Sequence, residues 1–271
     1  MTLDIELMIL WGALILYVLS GSLAIIGQIF KKNLEDLILA LMAVALIAHT
    51  AAIGYRWIRL DHGPFITMFE ILSSNIWSLS AFFIICYWRI AVIRPVSAFI
   101  MPVLFTMMGW LLLTNPGEGF FPATYDTIWL YIHIGLGKVF MGATLVAVGL
   151  SAIILLRNFH NDSAFPKLPD NDSISELSFR FMAVGLVFES LMLVAGAIWA
   201  QDAWGRYWDW DPLETWAFIT WLLLALTLHI RITWKISPAA GAGLICLVFV
   251  VAFLTFFGVP FISTSPHKGA V

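Results

Sequence analysis

Charge is what this sequence has least of. Asp, Glu, Lys and Arg together supply 11% of the 271 residues, the formal net charge is −3, and no basic run occurs. A chain so poor in charge cannot clothe a soluble globular domain, and the missing basic stretch argues against a nucleic-acid partner. Cysteine is almost absent as well. Cys86 and Cys246 stand far apart in separate apolar segments with no Cys-x-x-Cys pair, so the chain has no evident dithiol chemistry of its own. A cleavable leader is not expected either, because Asp4 and Glu6 precede a first apolar run that is too long for a signal peptide.

What is abundant is apolar sequence: 61% of residues are hydrophobic, and the mean hydropathy is +0.94. Runs long enough to cross a bilayer occupy 7–30, 37–58, 69–89, 96–114, 128–156, 179–200, 213–234 and 240–259. The expected fold is therefore all-α: a polytopic integral membrane protein of about eight transmembrane helices, with 1–271 forming a single domain. Backbone groups in lipid must be satisfied within their own segment, which excludes open strands. The longest polar connection, Arg157 to Ser178, is rich in Asn, Asp and Pro and reads as an irregular linker.

Positive residues are retained on the cytoplasmic side, so their positions give an orientation. Connections 1–2, 3–4, 5–6 and 7–8 hold Lys31, Lys32, Arg89, Arg94, Arg157, Lys167, Arg231 and Lys235, while the opposite set holds Arg56, Arg59, Arg206 and Lys268. Both termini are expected outside, which is the periplasm in a bacterium or the lumen in a thylakoid.

The chain is organised around residues 199–221, WAQDAWGRYWDWDPLETWAFITW, on that same outer side. Six of the 13 Trp residues fall there, crowded in a loop with Asp202, Arg206, Tyr207, Asp209 and Asp211. Trp joins a broad π surface to one N–H donor, which suits either a membrane-interface belt or a flat apolar ligand with polar edges. Part of the pattern is helix-starting chemistry: Asp211 as N-cap, Pro212 at the first helical position and Glu214 at the third make a capping box.

Two histidines share the outer side with this loop: His133, one to two turns into the fifth span, and His267 in the C-terminal tail. Neutral imidazole is an iron ligand, and two can hold haem on opposite faces; packing within a helix is the ordinary alternative for His133, and solvation for His267. His229 falls near the inner end of the seventh span, where it is a ligand or a snorkelling helix-end residue. His49 fits a helix-packing hydrogen bond, and His62 and His160 read as solvated. Glu70 and Glu189 are acids in or near the membrane with expected structural roles, one of them pairing with Lys138.

The run WAQDAWGRYWDWDPLETWAFITWLLLALTLHIR resembles the WWD signature of the CcsA/ResC-type cytochrome c biogenesis proteins. GPFITMFEILS ahead of the third span and FFGVPFISTSPH near the C-terminus extend the likeness over most of the chain. The resemblance implies a membrane subunit of a system II holocytochrome c synthase. Such a subunit receives haem b as a transported substrate and presents it outside for thioether attachment to apocytochrome c. Carried over by position, His133 and His267 become the outer axial ligands and His229 the ligand of an inner haem position. The haem would lie against Trp199, Trp204, Arg206, Tyr207, Trp208, Trp210, Asp211, Glu214 and Trp216, with no catalytic residue needed beyond these binding groups. Trp204, Trp208 and Trp210 would form the shelf for the porphyrin, and Arg206 would meet its propionates. Implied partners are a CcsB-type membrane subunit, apocytochrome c, and a thioredoxin-like reductant that keeps the substrate cysteines reduced. The chain departs from the family at Leu213, where a basic residue is usual, and in its SPHKGAV ending. Two other readings fit the composition: a haem-binding regulatory or scaffold protein of haem biosynthesis, and an exporter of another amphiphile.

Overall fold

The computed structural model describes residues 2–159, 165 and 168–262. Eight helices long and apolar enough to cross a membrane lie among them, as the apolar runs predict, and no strand occurs among the described residues. The chain divides into two compact units, one ending at Phe120 and the other beginning at Phe121.

In the first unit α1 (Thr2–Ile29), α2 (Glu35–Leu60), α3 (Met68–Arg89) and α4 (Ser97–Leu111) pack as a closed ring: α1 on α2, α2 on α3, α3 on α4 and α4 on α1. The fourth span begins earlier than the apolar run suggests, because a 3₁₀ turn over Ala91–Val96 leads directly into α4. What ties this ring together is a buried charge cluster. Arg56 on α2 uses all five of its N–H groups: on Glu70 Oε1 (2.9 and 2.8 Å), on Glu6 Oε1 (2.9 Å), and on the carbonyls of Pro116 (3.1 Å) and Gly117 (2.9 Å). Glu6 also accepts from Arg59 at 3.0 Å, and Arg59 pairs in turn with Glu118. Glu70 closes a capping box with Thr67 at the start of α3 while holding Arg56. Of the two acids expected to share Lys138, Glu70 is held instead by Arg56, whose planar fork matches both the carboxylates and the loop carbonyls. His49 makes the helix-packing hydrogen bond expected of it, Nε2 lying 3.0 Å from Ser73 Oγ across α2 and α3. His62, expected to be solvated, is half-buried with Nδ1 3.0 Å from the Gly63 carbonyl.

In the second unit α5 (Ile128–Phe159), α6 (Asn171–Trp204), α7 (Pro212–Thr233) and α8 (Pro238–Phe253) form the other bundle, with α5 against α6 as its most extensive helix pair. A π-turn over Leu254–Gly258 joins α8 to the short α9 (Val259–Ile262). The linker after α5 is shorter than the sequence suggests. Asp170 caps α6 by accepting from Ser173 N at 2.7 Å, so helix begins inside the Asp- and Ser-rich stretch rather than after it. That bond holds the Asp170 carboxyl below the usual carboxylate range. Arg157 gathers the carbonyls of Phe165 (2.7 Å), Leu168 (3.2 Å) and Pro169 (2.6 Å). His160 lies outside the described residues.

Removing Arg56 leaves the buried Glu70 carboxylate without its cation and Glu6 with Arg59 alone. Arg56→Met is expected to lower the stability of the detergent-solubilised protein by about 3–5 kcal/mol, read by thermal unfolding. Arg180→Ala breaks only an exposed pair with Glu176 and is expected to change stability by less than about 1 kcal/mol.

Candidate functional site

The end of the α5–α6 seam nearest the tryptophan-rich loop is built around His133. Its Nδ1 lies 2.9 Å from the carbonyl oxygen of Met192 on α6. A carbonyl can only accept, so Nδ1 carries a proton; in the neutral form of the ring that leaves Nε2 as the lone-pair nitrogen. The ring also lies nearly parallel to the indole of Trp199, with centroids 6.3 Å apart at 14°. Trp199 is buried, and its indole N–H donates to the carbonyl of Tyr125 at 3.1 Å. Tyr125 and Trp204 meet the Trp199 ring edge-on at 5.2 and 4.9 Å, which makes a compact cage of three aromatic rings beside the imidazole. Desolvation in this cage pushes the Tyr125 phenol above its usual range.

Beyond Trp204 the helix stops because Gly205 takes a left-handed conformation (φ 81°), which a side chain would disfavour. Trp204 is therefore the last residue of α6 and not part of the loop. Trp208 and Trp210 form a second aromatic group, edge-on to each other at 5.6 Å, with Trp208 also edge-on to Phe218 of α7 at 6.3 Å. Tyr207 and Trp210 present their rings outward, 61% and 68% exposed. The three tryptophans expected to make one shelf are thus divided between two T-shaped clusters, the arrangement the aromatic quadrupole favours over flat alignment.

The loop returns to helix at Asp211, whose carboxylate accepts from Glu214 N at 2.9 Å. The capping box is only half formed. Glu214 Oε2 reaches past the cap residue to accept from Asp209 N at 2.8 Å, so this buried carboxylate pins the loop two residues further back than a standard box. Arg206 spends its guanidinium on Asp209 Oδ1 at 2.6 Å in an exposed pair. Further down α7, Trp216 is exposed, and Trp221 donates to Ser190 Oγ on α6 at 2.8 Å. His229 is exposed one turn before the end of α7, its Nε2 3.4 Å from Thr233 Oγ1 and about 25 Å from Pro212 by helical rise.

The family described as Cytochrome C assembly protein matches residues 7–267. The chain belongs to that family. It is 31% identical to the cytochrome c biogenesis protein CcsA of Guillardia theta over 90% of this chain and 89% of that one. It is 27% identical to the CcsA of Prochlorococcus marinus (strain MIT 9312) over 95% and 92%. Among solved structures it resembles the cytochrome c haem lyase CcmF with a TM-score of 0.72 at 17% identity; the likeness covers 99% of this chain but 48% of that one, and it concerns the fold alone. The chain is a CcsA-type member of the cytochrome c assembly family, and a multi-pass membrane protein.

Of the residues expected at the site of this family member, the structure brings together His133, Trp199 and Trp204 in one cluster. Arg206, Trp208, Trp210, Asp211 and Glu214 are linked by hydrogen bonds or ring contacts in the loop and the start of α7. His229 lies toward the opposite end of α7, and His267 lies outside the described residues. Sequence reasoning missed Met192, Gly196, Tyr125 and Phe218. Met192, Gly196 and Trp199 recur on one face of α6 at a spacing of four and three, a signal visible in MLVAGAIW once His133 is suspected.

Because one carboxylate holds the loop to α7, Glu214→Ala is expected to raise amide hydrogen exchange at Asp209 by about tenfold, the equivalent of one hydrogen bond to a charged acceptor. Gln in the same position, which keeps an acceptor oxygen, is expected to recover most of the protection.

Proposed function

We propose that this chain handles haem for cytochrome c assembly: it binds haem b as cargo, carries it across the membrane and offers it outside for covalent attachment to apocytochrome c. The observation that carries the reading is the His133 hydrogen bond to the Met192 carbonyl. A hydrogen bond from the other ring nitrogen to a carbonyl is the usual outer-sphere arrangement of a metal-bound histidine, since it fixes the tautomer and raises the basicity of the ligating nitrogen. The aromatic cage beside it supplies an apolar wall of the kind a porphyrin needs, so the residues present suit the group.

In this reading Nε2 of His133 and His267 take the two axial positions, and His229 serves the inner haem position, its second ligand coming from a CcsB-type membrane subunit. The WWD region, 199–221, holds the haem plane through Trp199, Trp204, Tyr207, Trp208, Trp210 and Trp216. Asp211 and Glu214 act indirectly, by shaping the loop. Arg206 is the cation available to a propionate, once it exchanges Asp209 for that carboxylate. Positioning the haem vinyl groups beside a Cys-x-x-Cys-His substrate contributes proximity rather than acid–base catalysis. A thioredoxin-like reductant keeps the substrate thiols reduced, because Cys86 on α3 and Cys246 on α8 are single free thiols. Residues 1–271 act as one haem-handling domain. The protein resides in a bacterial inner membrane, or a thylakoid membrane if plastid-encoded, with the WWD loop and both termini on the outer side.

The test is His133→Gly. Covalent cytochrome c formation is expected to fall at least tenfold and to recover with added imidazole, which can occupy the vacated position. Full activity without imidazole removes His133 from the site. Co-purified haem with a b-type spectrum altered by the same substitution is the accompanying signature.

A further inference from the structure

Gly196 lies so close to His133 that a methyl group there would displace the imidazole. An ideal Cβ at residue 196 would sit 2.7 Å from His133 Nδ1 and 2.8 Å from Cε1, closer than real Cβ contacts come. Nδ1 is also the atom that donates to the Met192 carbonyl, one turn back along α6. Trp199, one turn forward, lies nearly parallel to the same ring. Residues 192, 196 and 199 therefore meet one imidazole from one helix face: a hydrogen-bond acceptor, a bare backbone and a flat wall.

We propose that Met192, Gly196 and Trp199 are positioning residues that form a slot for His133, fixing which ring nitrogen carries the proton and how the ring plane is turned toward the iron. This rests on the reading of His133 as a haem ligand. Each part has a separate task. The Met192 carbonyl selects the Nδ1–H tautomer. The absence of a side chain at 196 lets the ring approach that carbonyl without turning. The Trp199 indole limits rotation of the ring about its last side-chain bond. Because the two crowded atoms, Nδ1 and Cε1, form the edge that faces α6, a methyl at 196 pushes that edge back from the helix. As the ring withdraws or tilts, the Met192 bond lengthens and the Nε2 lone pair leaves its former position.

Another glycine on the same helix face provides the control. A Cβ at Gly185 would meet Thr144 Cγ2 at 3.5 Å and Phe140 Cδ2 at 3.6 Å, which is ordinary van der Waals contact. Gly185→Ala therefore changes α6 by the same methyl, in the same seam, without touching the imidazole.

The experiment compares the full-length protein, purified with its co-expressed haem, as the parent and as His133→Gly, Gly196→Ala and Gly185→Ala. Absorption spectra of the oxidised and reduced forms are recorded with and without millimolar imidazole, together with the reduction potential. Gly196→Ala is expected to lose most of the six-coordinate low-spin spectrum and to regain it with imidazole, while Gly185→Ala matches the parent. A Gly196→Ala protein whose spectrum and potential both match the parent overturns the slot. If His133→Gly itself matches the parent, the ligand reading falls and the slot falls with it, a pattern distinct from loss in His133→Gly alone. Should Gly196→Ala fail to accumulate in the membrane, Trp199→Leu removes the opposite wall instead. Imidazole-reversible loss of the low-spin spectrum supports the slot there, and an unchanged spectrum overturns it.

Discussion

Hydrocarbon offers no hydrogen bonds, and that constraint governs how the irregular connections between the described spans are held. The two compact units meet it with the same device, a buried arginine whose guanidinium collects carbonyls from an irregular connection. In the first unit Arg56 takes Pro116 and Gly117 together with two carboxylates. In the second, Arg157 takes Phe165, Leu168 and Pro169. Loop backbone that would otherwise be unsatisfied near the ends of the spans is brought under a single charged head, and arginine suits the task because its five donors point outward from one plane. Lysine at either position would supply a point charge without the fork.

The same constraint explains the form of the tryptophan-rich loop. A stretch so rich in indole could have spread along the membrane interface as a belt. Instead its rings are tied inward: Trp199 donates to Tyr125, Trp221 to Ser190, and the loop backbone at Asp209 is held by the Glu214 carboxylate. Only Tyr207, Trp210 and Trp216 are left with substantially exposed rings. The consequence is a loop whose backbone is fixed by α7 while a few flat rings remain exposed.

The spans were legible in the sequence because transfer of apolar residues into a bilayer depends on composition over about 20 positions, which needs no knowledge of tertiary contacts. Their ends were less so. Hydropathy gives no weight to an N-cap, and α6 begins at Asn171, well before its apolar run, because Asp170 captures Ser173 N. At the site, His133 and the tryptophans were legible from a motif of unusual residue types. Met192 and Gly196 were not, for a physical reason: one acts through a backbone carbonyl that every residue has, and the other through the absence of a side chain, common enough in membrane helices to carry no signal alone. The cation beside Glu70 was not legible, because charge complementarity within a span does not say which of several cations is near, and Arg56 is brought to it by the packing of α2 on α3.

Likeness of fold and likeness of chemistry separate cleanly in this molecule. At 17% identity the solved haem lyase shares the path of the helices over nearly the whole chain, and a shared path says little about what a site does. A helical bundle supplies seams, and any seam can bury a histidine. What distinguishes the α5–α6 seam is that three consecutive contacts on one face of α6 all converge on one ring, leaving its orientation over-determined. The cost of such a constraint is lost side-chain freedom, on the order of 1 kcal/mol, which the Met192 hydrogen bond and the Trp199 contact offset.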